Sequence, residues 1–308
     1  MSLKRITLIF SVLFMAVLFA ACGGSADNVE NNTANNTNDN NTEDNTEEEH
    51  RIVATTVAIV EIMDALELDL VGIPTSYKEL PSRYDDAVEV GMAAEPDMEI
   101  IRSLRPTEVL SVTTLDTEFD LAPVYEQAKV PVTFIDMESV EGMYDSILQL
   151  GEKYDRMEQA QALVSQFDEQ VEKIEETVVD KESPTVLILL GVPGSYLVAT
   201  ENSYIGDLVR RVGGINAIQG VDVEYVAANT ENLQQSNPDI ILRAAHGMPD
   251  AVVEMFNKEF AENDIWKHFK AVQNDRVYDL EETLFGTTAN LAVPEALAEL
   301  LDMLYGDE

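Results

Sequence analysis

From residue 51 onward the chain alternates short apolar runs with longer amphipathic ones. Runs at 51–55, 70–73, 108–112 and 132–135, and again at 185–192, 239–242 and 276–280, are rich in Val, Ile and Leu and are bounded by Pro, Gly, Asp or Asn. Short β-rich runs with such boundaries predict strands. Between them apolar residues recur at helical steps, so strands and helices alternate, which is the grammar of α/β folds. One amphipathic stretch is longer than the rest. Met143, Ile147, Leu150 and Tyr154, then Leu163, Phe167, Val171, Ile174 and Val178, mark one face over 140–179, with Glu169, Glu172, Lys173, Glu175 and Glu176 on the outer side. Gly151 is a weak point near its start and Pro184 closes it. The pattern predicts one long rigid helix joining two α/β lobes.

A repeated unit supports two lobes. A glutamate (Glu99), a short amphipathic segment, Pro106 and an apolar run reappear as Glu231, a segment, Pro238 and an apolar run. Helix–Pro–strand connections are common, and acids favour a first helical turn, so the repeat alone carries no function.

The first 50 residues follow another pattern. Lys4 and Arg5 precede an apolar run at 6–19, followed by Leu18-Phe19-Ala20-Ala21-Cys22-Gly23. This is the form of a secretory signal. Cys22 is the one cysteine of the chain, so no internal disulfide is available and the fold rests on its core. The stretch 23–49 is Asn-, Thr- and acid-rich with almost nothing large and apolar, as in a flexible tether. The chain thus divides into a signal (1–22), an acidic tether (23–50), a first lobe (51–139), a linking helix (140–183) and a second lobe (184–308).

Charge narrows the partners. The net charge is −39, and residues 51–308 hold 50 acids against 17 bases. Nucleic acid needs a basic footprint, and electrostatic attachment to anionic lipid needs the same. Both are excluded, and the acids read as a strongly solvated surface.

Several stretches carry a family resemblance. The end of the signal resembles a bacterial lipobox, in which Cys22 would be lipidated. Arg51 to Thr56 (RIVATT), Pro74-Thr75-Ser76-Tyr77-Lys78, LILLGVPGSYLVAT at 187–200, Ser203 to Leu208 (SYIGDL), NPDIILR at 237–243, His246-Gly247-Met248-Pro249 and NDIWKHFKA at 263–271 together resemble the solute-binding lipoproteins of ABC importers for metal chelates. Within that group they are most similar to the haem receptors of the iron-regulated surface determinant systems. The resemblance spans residues 51–308. It implies two Rossmann-like lobes joined by one long helix (the class III periplasmic-binding-protein fold) and a cargo cleft beyond the carboxyl ends of the strands. It further implies a monomer, lipid-anchored on the outer face of the cell membrane, that passes haem to a permease with its ATPase.

The same resemblance assigns residues. By itself a loop histidine is more often a surface residue than a ligand; the family places a haem-iron ligand at His246, and neutral imidazole suits that chemistry. The opposite ligand is a methionine in the family, but its position here holds Ala94. Met92 is the first alternative, a five-coordinate or water-bound iron the second, and Met98 the third, since Met98 opens a helix and suits packing. Tyr77 and Lys78, with backbone groups near Thr55 and Thr56, are implied contacts for the haem carboxylates, and Tyr196 and Tyr204 for the other side of the pocket, although both tyrosines equally suit packing. Glu99 and Glu231 are the implied docking carboxylates for permease arginines. His50 and His268 are expected to stand apart.

Other classes find less support. A siderophore or cobalamin receptor shares the fold. A zinc or manganese receptor needs several converging His and carboxylate ligands. For an enzyme, Gly194-Ser195-Tyr196 lacks the flanks of a nucleophile elbow, and there is no phosphate-binding glycine loop.

Overall fold

A computed structural model of the chain describes residues 50–113, 120–228, 233 and 236–306. Within them the first lobe is built on a parallel sheet. Its strands are β1 (Ile52–Ala54), β2 (Gly72–Ile73), β3 (Val88–Glu89), β6 (Glu108–Val112) and β7 (Val132–Ile135), in the spatial order β3-β2-β1-β6-β7. A small antiparallel hairpin, β4 (Gly91–Met92) with β5 (Glu95–Pro96), stands apart from that sheet. Alternation along the strands explains the layers. Ile52, Ala54 and Leu110 enter one buried cluster, while Val53 and Val109 enter another on the opposite face. A parallel sheet buried on both sides needs this pattern. Helices α1 (Val57–Ala65), α2 (Met98–Ser103) and α3 (Ala122–Ala128) connect the strands. The chain leaves β1 toward β2 on one side and pairs β1 with β6 on the other, so the order reverses at β1 and opens a crevice beyond its carboxyl end.

The linking segment differs from expectation. It holds two helices, α4 (Val140–Lys153) and α5 (Met157–Val178), not one. The cause is local. Asp155 adopts a left-handed φ of 55°, and the Arg156 N–H donates to the Gly151 carbonyl at 2.7 Å. Gly151 faces α5 so closely that a Cβ there would lie 2.5 Å from the Ala160 Cβ. The glycine therefore lets α5 fold back against α4, and Tyr154 turns its hydroxyl to the buried Glu108 carboxylate. The joining element is α5 alone. Its 22 residues span about 33 Å.

The second lobe carries a mixed sheet. Its strands are β8 (Thr185–Val192), β9 (Ser195–Ala199), β10 (Ile215–Asn216), β11 (Tyr225–Ala227), β12 (Ile240–Ala245) and β13 (Val277–Asp279). The order is β11-β9-β8-β12-β13; β8, β12 and β13 run parallel, β9 is antiparallel to β8, and β10 pairs with the first residues of β8. Helices α6 (Tyr204–Arg211), α7 (Pro249–Glu262), α8 (Lys270–Gln273) and α9 (Val293–Tyr305) cover it. Helix α5 packs on α1 of the first lobe and on α9 of the second. Accordingly Ile59, Ile147, Val171, Leu208 and Leu300 belong to one continuous buried cluster.

Charge fixes the same joint. Asp207, on α6, accepts the Val140 N–H at the start of α4 (3.0 Å), Arg211 Nε (3.1 Å) and Arg210 Nη2 (2.5 Å). Arg211 also reaches Glu175 on α5 at 2.7 Å and Glu141 on α4. Three helices are thus tied through one buried guanidinium. Burial pushes the Asp207 carboxyl up, but Arg211, the Val140 N–H and Arg210 outweigh it and hold its pKa below the ordinary 3.8.

Asp207→Asn keeps the shape and removes the charge. Arg211 retains two carboxylates, so the expected cost is about 1.5–3 kcal/mol, the range for hydrogen bonds to charged groups, read as a lower urea-unfolding free energy at pH 7. The folded pKa lies below the unfolded one. The stabilisation is therefore complete above about pH 4 and disappears as pH falls through the folded value. The two proteins should converge in acid; a gap unchanged at pH 2 would contradict this assignment.

Candidate functional site

The two lobes meet through loops that follow strands. After β2 comes the loop Pro74-Thr75-Ser76-Tyr77-Lys78, and after β13 comes Glu282. Lys78 Nζ, from the first lobe, donates to the Glu282 carbonyl of the second at 3.3 Å. Because β12 lies beside β13 in parallel register, the carboxyl end of β12 comes to the same place, and its next residue is His246.

The sequence builds the histidine's setting step by step. The His246 N–H donates to the Gly191 carbonyl of β8 at 2.9 Å, which extends the sheet ladder by one bond. Gly247 (φ 72°) and Met248 (φ 49°) then both turn left-handed, and Pro249 opens α7. Only the first of these two positions has the residue best suited to that conformation. The chain leaves the sheet abruptly, and the imidazole projects from the rim, exposed to solvent. Desolvation against the surrounding wall lowers its pKa below the usual 6.5; Glu282 pushes it up and Lys78 pushes it down. Since the residue is open to water, a concave setting rather than enclosure disfavours the cation. A neutral imidazole has a free lone pair, as iron ligation requires.

Glu282 holds this corner. One carboxylate oxygen, Oε1, accepts the Gly247 N–H at 3.0 Å, while Oε2 is buried and accepts no hydrogen bond of good geometry. Tyr77 stands against the same carboxylate; partial burial first, then Glu282, pushes its pKa up. On its own lobe Lys78 lies near Glu61 of α1, whose pKa burial raises and Lys78 opposes. Glu61 and Glu282 were not singled out in the sequence. The signal for Glu282 was its place just past the carboxyl end of a strand.

The structure sorts the expected residues into two groups. His246, Tyr77 and Lys78 come together at the cleft. Thr55 and Thr56 stand at the end of β1, but with committed side chains: the Thr55 hydroxyl donates to the Leu110 carbonyl at 3.0 Å, and the Thr56 hydroxyl caps α1 by accepting the Ile59 N–H. Backbone groups, not those hydroxyls, are what β1 offers. Met92 sits on the β4–β5 hairpin, 58% exposed, with Ala94 exposed between the two strands. The Thr75 N–H donates to the Gly91 carbonyl at 2.8 Å, so the hairpin flanks the Tyr77 loop. Met98 packs against the outer core of the first lobe, as a packing residue would.

Two tyrosines do not belong to the cleft. Tyr196 packs on Phe256 and Trp266, with centroids 5.7 and 6.4 Å away, and its hydroxyl donates to Glu259. It serves the outer core of the second lobe. Tyr204 is fully buried at the first turn of α6, within the continuous core. Tyr204 is thus enclosed by the core, while Tyr196 is half-buried against the aromatic side chains of the second lobe. Glu99 is exposed in the first turn of α2, capped by Asp97. Glu231 and Cys22 lie outside the described residues. His50 packs edge-on against Tyr154 (5.1 Å) beside Glu108, at the amino ends of β6 and β7, where a cavity of about 330 Å³ opens away from the cleft. His268 is exposed on a 3-10 turn.

Comparison with known proteins agrees with this architecture. The periplasmic binding protein family matches residues 52–284. The high-affinity heme uptake system protein IsdE of Staphylococcus aureus is 52% identical over 261 residues, which cover 84% of this chain and 89% of the relative. The crystal structure of S. aureus IsdE complexed with heme has a TM-score of 0.80 at 52% identity, covering 83% of this chain and 99% of that one. An ABC transporter substrate-binding protein from Listeria monocytogenes EGD-e has a TM-score of 0.78 at 55% identity, covering 84% and 99%. Two lobes of this topology, with the match running through both, have one assignment: the chain belongs to the periplasmic binding protein family.

Proposed function

We propose that this chain is an extracytoplasmic receptor that captures haem between its lobes for delivery through an ABC importer, and not an enzyme. The observation that carries the reading is His246. It stands at the carboxyl end of a central strand, neutral and accessible, facing a lysine from the opposite lobe. Identity of 52% with a protein crystallised with heme supports the same cargo here. Iron would bind the imidazole nitrogen, and the porphyrin would lie between the His246 and Tyr77 loops. Lys78 and the backbone at the end of β1 would meet its carboxylates, because an ammonium and N–H groups are the donors at that rim. Met92 is the proposed second ligand, reached by a hairpin that carries alanine at its tip. Cys22 is the proposed lipid attachment, and Glu99 with Glu231 the proposed contacts to permease arginines. The packing of α5 on helices of both lobes argues that the lobes stay close to fixed, so capture relies on an open rim and not on a wide hinge.

Haemin titration of the purified protein should produce a shifted Soret band at one equivalent. His246→Ala should weaken binding roughly a hundredfold, or ~2.8 kcal/mol. An unchanged affinity would remove the histidine from the site, and no uptake by the unaltered protein would remove haem as cargo. Met92→Ala should retain binding through His246 but shift the ferric spectrum from six-coordinate low-spin toward high-spin; an unchanged spectrum would show that Met92 is not a ligand.

A further inference from the structure

Glu282 has more structure around it than a rim residue needs. Its loop leaves β13 alongside the end of β12, where the Leu280 N–H donates to the Arg243 carbonyl at 2.9 Å. Its Oε1 holds the Gly247 N–H, at the first of two left-handed residues directly after His246. Its carbonyl takes Lys78 from the opposite lobe. That leaves Oε2, buried and without a good donor. A buried carboxylate oxygen in this state calls for a physical reason. A metal-bound histidine supplies one, because its second ring nitrogen carries a hydrogen that commonly goes to a carboxylate.

We infer that Glu282 is the positioning residue for His246: Oε1 fixes the turn behind the imidazole through the Gly247 N–H, and Oε2 accepts the ring N–H that does not face the iron. This rests on the haem reading above. Glu282 already sits behind the turn that follows the imidazole, through the Gly247 N–H at 3.0 Å, and its remaining carboxylate oxygen can accept a hydrogen bond where the Lys78 ammonium cannot. A carboxylate at that nitrogen fixes the tautomer and makes the ligating nitrogen more basic. It therefore favours ferric over ferrous iron. Tyr77, which stands against the same carboxylate, is the competing donor while the cleft is empty.

The test is Glu282→Gln in the full chain, with Glu282→Asp beside it. Glutamine keeps an acceptor for the Gly247 N–H, so the urea midpoint should stay near that of the wild type. Haem dissociation should nevertheless accelerate roughly ten- to hundredfold, the range for partners of metal-bound histidines. The ferric/ferrous midpoint should move positive, and aspartate should restore part of both effects. A Glu282→Gln protein that matches the wild type in haem dissociation rate and midpoint overturns the assignment. Failure of the haem reading shows separately, as a wild-type chain that takes up no haem.

Discussion

The buried contact between Asp207 and Arg211 sets the geometry on which the rest depends. Each charge is nearly removed from water, and each is satisfied by partners on other helices: the first N–H of α4 for the carboxylate, Glu141 and Glu175 for the guanidinium. Isolated, either charge would be costly at that depth. Together they lock α4, α5 and α6 at one junction, and the apolar cluster running from Ile59 to Leu300 continues the lock through both lobes. With the lobes held, two loops that are far apart in sequence meet reproducibly. Lys78 and Glu282 are 204 positions apart and touch.

The cleft residues illustrate a division of labour common to α/β proteins. Strands and helices consume their own side chains in packing, so chemistry falls to the loops just past the strand ends. Thr55, Tyr196 and Tyr204 sit on or near such elements and are absorbed by them. His246, Tyr77 and Lys78 sit beyond strand ends and are not absorbed into the core, with Glu282 behind them. The site also combines two kinds of group that a metalloporphyrin requires: an imidazole for the metal, and a cation with backbone donors for peripheral carboxylates.

Much of this was legible in the sequence, for identifiable reasons. The strands Glu108–Val112, Val132–Ile135 and Thr185–Val192 coincide with their apolar runs, since buried strands between turn residues leave a sharp signature. The break at Tyr154-Asp155-Arg156 left only faint marks, Gly151 and the gap in the apolar series between Tyr154 and Leu163; what lets the chain fold back there is the close approach of Gly151 to Ala160, a tertiary fact. Strand β9 was not read either. It follows a Pro193-Gly194 turn and is held by pairing with β8 more than by its own composition. At the site, His246 and Lys78 were reached through the family resemblance, since residue type alone favours a surface role for each. A glutamate does not stand out in a chain with 58 acids, and Glu282 emerged only when its partners were in place.

The central claim is that one porphyrin lies between the lobes with its iron bonded to the second. A crystal structure of the protein grown with haemin tests it most directly. The account predicts iron within bonding distance, about 2 Å, of an imidazole nitrogen of His246, with the ring between the Tyr77 and His246 loops and its carboxylates toward Lys78. A porphyrin bound elsewhere on the molecule, or lying in the cleft with His246 turned to bulk water, would contradict it.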